Sequence, residues 1–167
     1  MKIIFLDVDG VLNSSDWNRK NKDKIKNGFL IDETKVALLG ELIENANAKI
    51  VLHSGWRFWF DNNFKPIKKE SKHFYKLLKK ENISFFDFTP DFSTEEIRRT
   101  KEFSLVKADE ILFWIKQHKN ISGWIVIDDL DLNNEIISAH QIKPDSTRGL
   151  EREDIETAIK LFAEQNK

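Results

Sequence analysis

Four acidic residues fall in two short groups, Asp7-Val8-Asp9 and Asp128-Asp129. Each group directly follows a run of apolar, β-favouring residues, Ile3-Ile4-Phe5-Leu6 and Trp124-Ile125-Val126-Ile127. A third apolar run, Ala48 to Leu52, ends at His53-Ser54-Gly55, and Lys107 opens the helical pattern that leads into the run at Trp124. Carboxylates gathered at one place repel one another and raise each other's pKa unless a cation neutralises them. An oxygen-only donor set in a chain with no Cys favours a hard ion, and Mg²⁺ is the common solution where the chemistry involves phosphate. A phosphate ester entering an acidic pocket needs both that metal and a cationic side chain, the role Lys107 is placed to take. Asp7 is then a candidate carboxylate nucleophile, Asp9 the acid that protonates the leaving oxygen and later activates water, and Ser54 a hydrogen-bond donor to a phosphoryl oxygen.

Such convergence requires parallel strands that end at one edge, and the patterning supplies them. Val36, Leu39, Leu42 and Ile43 recur at helical spacing after Asp32 as cap, so residues 3 to 52 read as a βαβ unit. Residues 14 to 28 are polar and basic and read as an exposed loop, part of a flap over about 11–30. The stretch 56–106 reads as an elaborated insertion. It holds an aromatic cluster (Trp56, Phe58, Trp59, Phe60, Phe64), a basic helix over about 67–81 and an apolar run from Ile83 to Phe88. A helix from Ala108 to His118, a short strand over His140 to Lys143 and a C-terminal helix from Asp154 complete the pattern. In an open parallel sheet of this kind, ligands bind beyond the carboxyl ends of the strands.

The ordered set resembles the haloacid dehalogenase (HAD) superfamily. Asp7-Val8-Asp9-Gly10-Val11 is similar to its motif I, Ser54 to motif II, Lys107 to motif III and Asp128-Asp129 to the double-Asp form of motif IV. The finer pattern, Asp-Gly-Val-Leu-Asn at 9–13, Ser-Gly-Trp-Arg at 54–57, Lys-x-x-Glu-Ile at 107–111 and Gly-Leu at 149–150, is similar to the small HAD domains of RNA-repair proteins, relatives of polynucleotide 3′-phosphatase domains. The resemblance implies a Rossmann-like three-layer α/β/α sandwich with a mainly parallel sheet and little or no cap, in a single domain over 1–167. It also implies Mg²⁺ held by Asp7, the backbone carbonyl of Asp9 and a motif IV acid, with Asp129 as the direct ligand and Asp128 in support. Arg98 and Arg99 compete for the motif III role but lie farther from the strand, and His53 either touches the site or packs beneath it.

Each signal also has a plainer reading. A lone Asp-x-Asp-Gly occurs in turns, helix caps and structural cation sites. Asp131 reads as a loop residue, and His73, His118 and His140 as surface or packing residues. Gly55, Trp56 and Arg57, directly after motif II, and Arg148 are candidate substrate contacts. Most of the aromatic cluster is expected to be core.

The chain of 167 residues carries a formal charge of −1, which excludes a uniformly basic binder, yet the total conceals a segregation. Residues 56–80 hold eight Lys/Arg against two Asp/Glu, whereas residues 128–167 hold five against ten. With the basic flap residues 19–26, this places a positive surface beside an acidic pocket, suited to a phosphate-rich polymer. The expectation is a phosphomonoester hydrolase acting through an aspartyl-phosphate, on a phosphorylated substrate such as a nucleic-acid 3′-phosphate end. The alternatives are a nucleotide or sugar phosphate as substrate, or a phospho-acceptor or nucleic-acid-binding module that keeps the pocket without turnover. No leader and no membrane-spanning run is visible, so a cytoplasmic monomer or small homo-oligomer is expected.

Overall fold

The computed structural model describes residues 1–165. In chain order its elements are strand β1 (Lys2–Leu6), helices α1 (Ser15–Lys20), α2 (Lys22–Lys26) and α3 (Glu33–Ala46), strand β2 (Ala48–Leu52), a 3₁₀ turn over Gly55–Trp59, helix α4 (Lys69–Lys80), strand β3 (Phe85–Phe88), helices α5 (Glu95–Thr100) and α6 (Ser104–Gln117), strand β4 (Gly123–Ile127), helix α7 (Glu135–Ser138), strand β5 (Gln141–Ile142) and helix α8 (Arg152–Glu164). The strands form one sheet in the order β3-β2-β1-β4-β5, and every pairing is parallel. This is the Rossmann-like α/β arrangement expected from the sequence.

Alternation along β1 builds two cores. Ile4 and Leu6 face one side of the sheet, where α3, α4 and α8 bury Leu39, Leu42, Phe74, Leu78 and Phe162. Ile3 and Phe5 face the other side, against Ile111 and Trp114 of α6. Phe5 is fully buried and meets Trp114 edge-to-face at 5.3 Å, so truncating it to Ala would cost about 3–5 kcal/mol. The helices end where their chemistry says they should. Asp32 caps α3 by accepting from the Thr34 N–H, and Asn47 closes it in the left-handed conformation. Glu151 and Asp154 form a capping box that starts α8 at Arg152.

Two stretches depart from expectation. The segment read as an exposed loop contains two short helices: Ser14 caps α1 through the Trp17 N–H, and α2 follows after Asn21. Neither buries a residue, so no apolar periodicity announces them. Within 56–106, Phe85–Phe88 is an edge strand of the sheet beside β2, so part of the stretch read as elaboration is woven into the core. A strand of four residues is too short for its alternation to separate it from a buried loop. Among the described residues no helix is long and apolar enough to cross a membrane.

Candidate active site at the carboxyl edge of the sheet

Register brings the candidate residues together. Leu6 pairs with Leu52 on one side and with Ile127 on the other, so the residues that follow each strand leave the sheet at one level. The Asp7 N–H donates to Ile127 O at 2.9 Å and the His53 N–H to Leu6 O at 2.7 Å, extending the ladders to the edge itself. From β1 the chain runs outward through β2 to β3 and then returns to place β4 on the other flank of β1. The β1/β4 boundary is therefore the switch point of the topology, where a parallel sheet opens a crevice.

Asp7, Asp128 and Asp129 converge there, with one carboxylate oxygen from each lying within 4.8 Å of the others. Lys107 Nζ lies 3.3 Å from Asp7 Oδ2 and 2.6 Å from Asp128 Oδ2. Asp7, Lys107 and Asp128 are all buried. Burial pushes the Asp7 carboxyl up to about 6; Lys107 and the Ser54 hydroxyl oppose this rise, and the neighbouring Asp128 and Asp9 add to it. Burial also raises the Asp128 and Asp129 carboxyls. Lys107 is raised above the ordinary lysine value: burial works against its charge, but Asp7 and Asp128 outweigh it.

Asp128 accepts from Lys107 on one oxygen and from the Leu130 N–H on the other, so both of its oxygens are committed. Asp129 is only half-buried and faces Gly10, whose φ is +76°. A Cβ at Gly10 would lie 2.5 Å from Asp129 Cγ, so glycine is what lets the loop after β1 lie against that carboxylate. The donor set is all oxygen and carries more negative charge than Lys107 offsets, which fits a hard divalent cation such as Mg²⁺.

Asp9 stands outside this cluster. Its Oδ1 accepts from Asn13 Nδ2 at 2.8 Å and its Oδ2 from Trp56 Nε1 at 3.0 Å, while the Gly10 N–H donates to Asn13 Oδ1. Ser54 is buried, caps the 3₁₀ turn and lies against Asp7. Gly55 and Arg57 line the cleft, which encloses about 520 Å³ together with Asp7, Asp9, Ser54 and Lys107. The Arg57 guanidinium donates to Ser54 O and to both carboxylate oxygens of Glu110. It therefore ties the Ser54 turn to the helix that carries Lys107.

Two residues read as substrate contacts take other places. Trp56 is buried beside Trp59 and Phe74; its indole N–H donates to Asp9 and its backbone N–H to Ser54 Oγ at 3.4 Å. Arg148 is exposed, pairs with Asp145 at 3.6 Å and does not line the cleft, whereas Ser146, two residues earlier, does. Most of the aromatic cluster is core, and Phe58 alone projects into the cleft mouth with the Arg57 guanidinium over its ring at 4.7 Å. His53 packs beneath the site, fully buried with Nδ1 on Thr89 Oγ1 at 3.1 Å, and burial holds its pKa well below the ordinary histidine value. Arg98 pairs with Asp91 at the surface, whereas Lys107 meets Asp7 and Asp128. Asp131 holds its own loop through the Asn133 N–H.

Asn13 and Glu110 received no role from the sequence. Their spacings carry a signal: Asn13 follows Asp9 by four residues, and Glu110 follows Lys107 by three on the same helix face.

A family model described as the HAD domain in Swiss Army Knife RNA repair proteins matches residues 3–155. No curated protein and no solved structure matches the chain.

Proposed function

Because the chain belongs to the family of HAD domains found in Swiss Army Knife RNA repair proteins, we propose that it is a Mg²⁺-dependent phosphohydrolase cleaving a phosphomonoester through an aspartyl-phosphate on Asp7, with a nucleic-acid 3′-phosphate end as its substrate. The observation that carries this reading is Lys107 Nζ held between Asp7 and Asp128, at the point where three carboxylates meet.

Asp7, Asp129 and the backbone carbonyl of Asp9 would hold the metal, with Asp128 in support. When bound, Mg²⁺ supplies positive charge that offsets both the carboxylates and the phosphoryl oxygens. An Asp7 carboxylate oxygen attacks phosphorus, forming an acyl-phosphate bond as the ester P–O bond breaks, and Asp9 delivers a proton to the departing alkoxide. Asp9 then takes a proton from a water that attacks the same phosphorus, and free phosphate leaves with Asp7 regenerated. Lys107 and the Ser54 hydroxyl compensate the charge that builds on the phosphoryl oxygens. Arg57 and Glu110 hold Ser54 and Lys107 in register.

A hydrolysis panel with Mg²⁺ tests the reading, setting 3′- and 5′-phosphorylated oligonucleotides against mononucleotides, sugar phosphates and phosphopeptides. Preferential release of phosphate from 3′ ends is expected. Turnover confined to small phosphates would overturn the substrate, and the absence of turnover on every member would overturn the enzyme. The cleft volume of about 520 Å³ suits a single nucleotide, which favours a mononucleotide as the second reading.

A further inference from the structure

The two basic segments of the sequence pack side by side. Phe29 at the end of the α1–α2 segment meets His73 of α4 with ring centroids 4.5 Å apart, and the Lys69 stem runs past Gly28. Between them lies a groove of about 370 Å³, separate from the cleft, with Trp17, Lys24, Phe29, His73 and Leu77 in its walls together with the acids Asp32 and Glu33. Residues 19–26 and 65–80 together hold twelve Lys/Arg against two Asp/Glu. Lys69, Lys72, Lys76 and Lys80 follow one another at spacings of three and four, so they run along one face of α4. Lys24, Lys72 and Lys76 make no ion pair among the described residues. Both acids are engaged: Asp32 caps α3, and Glu33 pairs with Lys80 at 3.7 Å.

Lys24, Lys69, Lys72 and Lys76, without an ion pair among the described residues, call for a ligand with repeated anionic groups. The rings call for something planar: Phe29 is 42% exposed and Trp17 half-buried, and a stacking surface is open only to bases that are not already paired. Helix α1 borders both cavities: Ser15 and Asn18 line the cleft and Trp17 lines the groove. We infer that the α2/α4 groove binds a single strand of nucleic acid, holding the body of the chain whose phosphorylated end enters the cleft over α1. The inference rests on the phosphohydrolase reading for the identity of that end, but the groove is tested without it.

The test uses binding rather than turnover: fluorescence anisotropy of the full chain with a labelled, unphosphorylated single strand of ~12 nucleotides, a length within the usual range for such surfaces. The charge-reversed double variant Lys72→Glu with Lys76→Glu is expected to bind at least about tenfold more weakly and to show a flatter dependence on salt, since fewer counterions are released. Phe29→Ala is expected to weaken binding of the normal strand about tenfold and of an abasic strand hardly at all. Lys160→Glu, on α8 away from the groove, should bind as the unaltered protein does. Circular dichroism melting of each variant separates lost binding from lost folding. Unchanged affinity in the folded double variant would overturn the inference, as would equal competition by a duplex or by polyglutamate, and so would failure of the unaltered protein to bind the strand. Strand binding without phosphate release would contradict the proposed function alone; phosphate release without groove binding would contradict this inference alone.

Discussion

Trp56 donates its indole N–H to Oδ2 of Asp9 at 3.0 Å, across 47 residues of sequence. The ring that supplies this bond is buried in the aromatic core beneath α4, so packing on one face of the sheet fixes the direction of a carboxylate in the cleft. Asn13 holds the other oxygen, and the acid/base candidate thus enters the cycle already oriented.

Trp56→Phe keeps most of the ring and removes this bond. We expect kcat on an aryl phosphate to fall about tenfold with little change in KM, because the loss falls on proton transfer rather than binding. Unfolding free energy should drop by about 1.5–3 kcal/mol, the value of one hydrogen bond to a charged group. Steady-state kinetics alongside urea denaturation would separate the two effects, and a change in KM alone would contradict the assignment.

Lys107→Met leaves Asp7 and Asp128 buried without their cation. Removing one partner of a buried pair costs about 3 kcal/mol at pH 7. The loss should shrink towards pH 5, where the carboxyls take up protons instead of remaining charged. Denaturation midpoints at the two pH values measure this, and a cost that grows on acidification would contradict the pairing.

Asp7 binds its proton more tightly in the folded protein, at about 6, than in the unfolded chain, at 3.8. The stabilisation from this group is complete below the unfolded value and disappears as pH rises through about 6, so in the absence of metal Asp7 makes the fold less stable at pH 7 than at pH 5. The raised Asp128 and Asp129 carboxyls act in the same direction. Mg²⁺ competes with these protons, and its effect must therefore grow with pH. The rise in Tm on adding Mg²⁺ should be larger at pH 7 than at pH 5; a rise independent of pH would count against a carboxylate metal site.

Gly10→Ala places a methyl group 2.5 Å from Asp129 Cγ, at a φ of +76°. The loop or the carboxylate must move, and Mg²⁺ affinity should fall at least about tenfold by calorimetry, with about 1–2 kcal/mol of stability lost as well. Unchanged affinity would remove Asp129 from the ligand set.

The residues that meet at the sheet edge were readable because each directly follows an apolar run, and a parallel sheet brings such positions to one place. Asp7, Ser54, Asp128 and Asp129 could be placed on that ground, and Lys107 by its position in the helix that leads into β4. The partners that orient them could not. Arg57 and Glu110 meet across 53 residues, and Trp56 reaches Asp9 from the far side of a core packed by α4. Contacts of that kind depend on how helices lie against the sheet, which local pattern does not encode. The same limit hid α1 and α2, which bury no residue, and the pairing of Arg148 with Asp145 outside the cleft lining. Charge segregation was visible in the counts, but the meeting of the flap with α4 around one groove required the fold.

In the proposed cycle Asp7 forms the bond to phosphorus. Mg²⁺-dependent hydrolysis of an aryl phosphate, measured for the unaltered protein and for Asp7→Asn, tests it most directly when combined with acid-quench mass spectrometry of Asp9→Asn, in which breakdown of the phosphoenzyme is slowed. No turnover above background is expected for Asp7→Asn, and a phosphoryl adduct is expected on the Asp7 peptide in Asp9→Asn. Turnover by Asp7→Asn at the unaltered rate, or an adduct on any other residue, would contradict that role for Asp7.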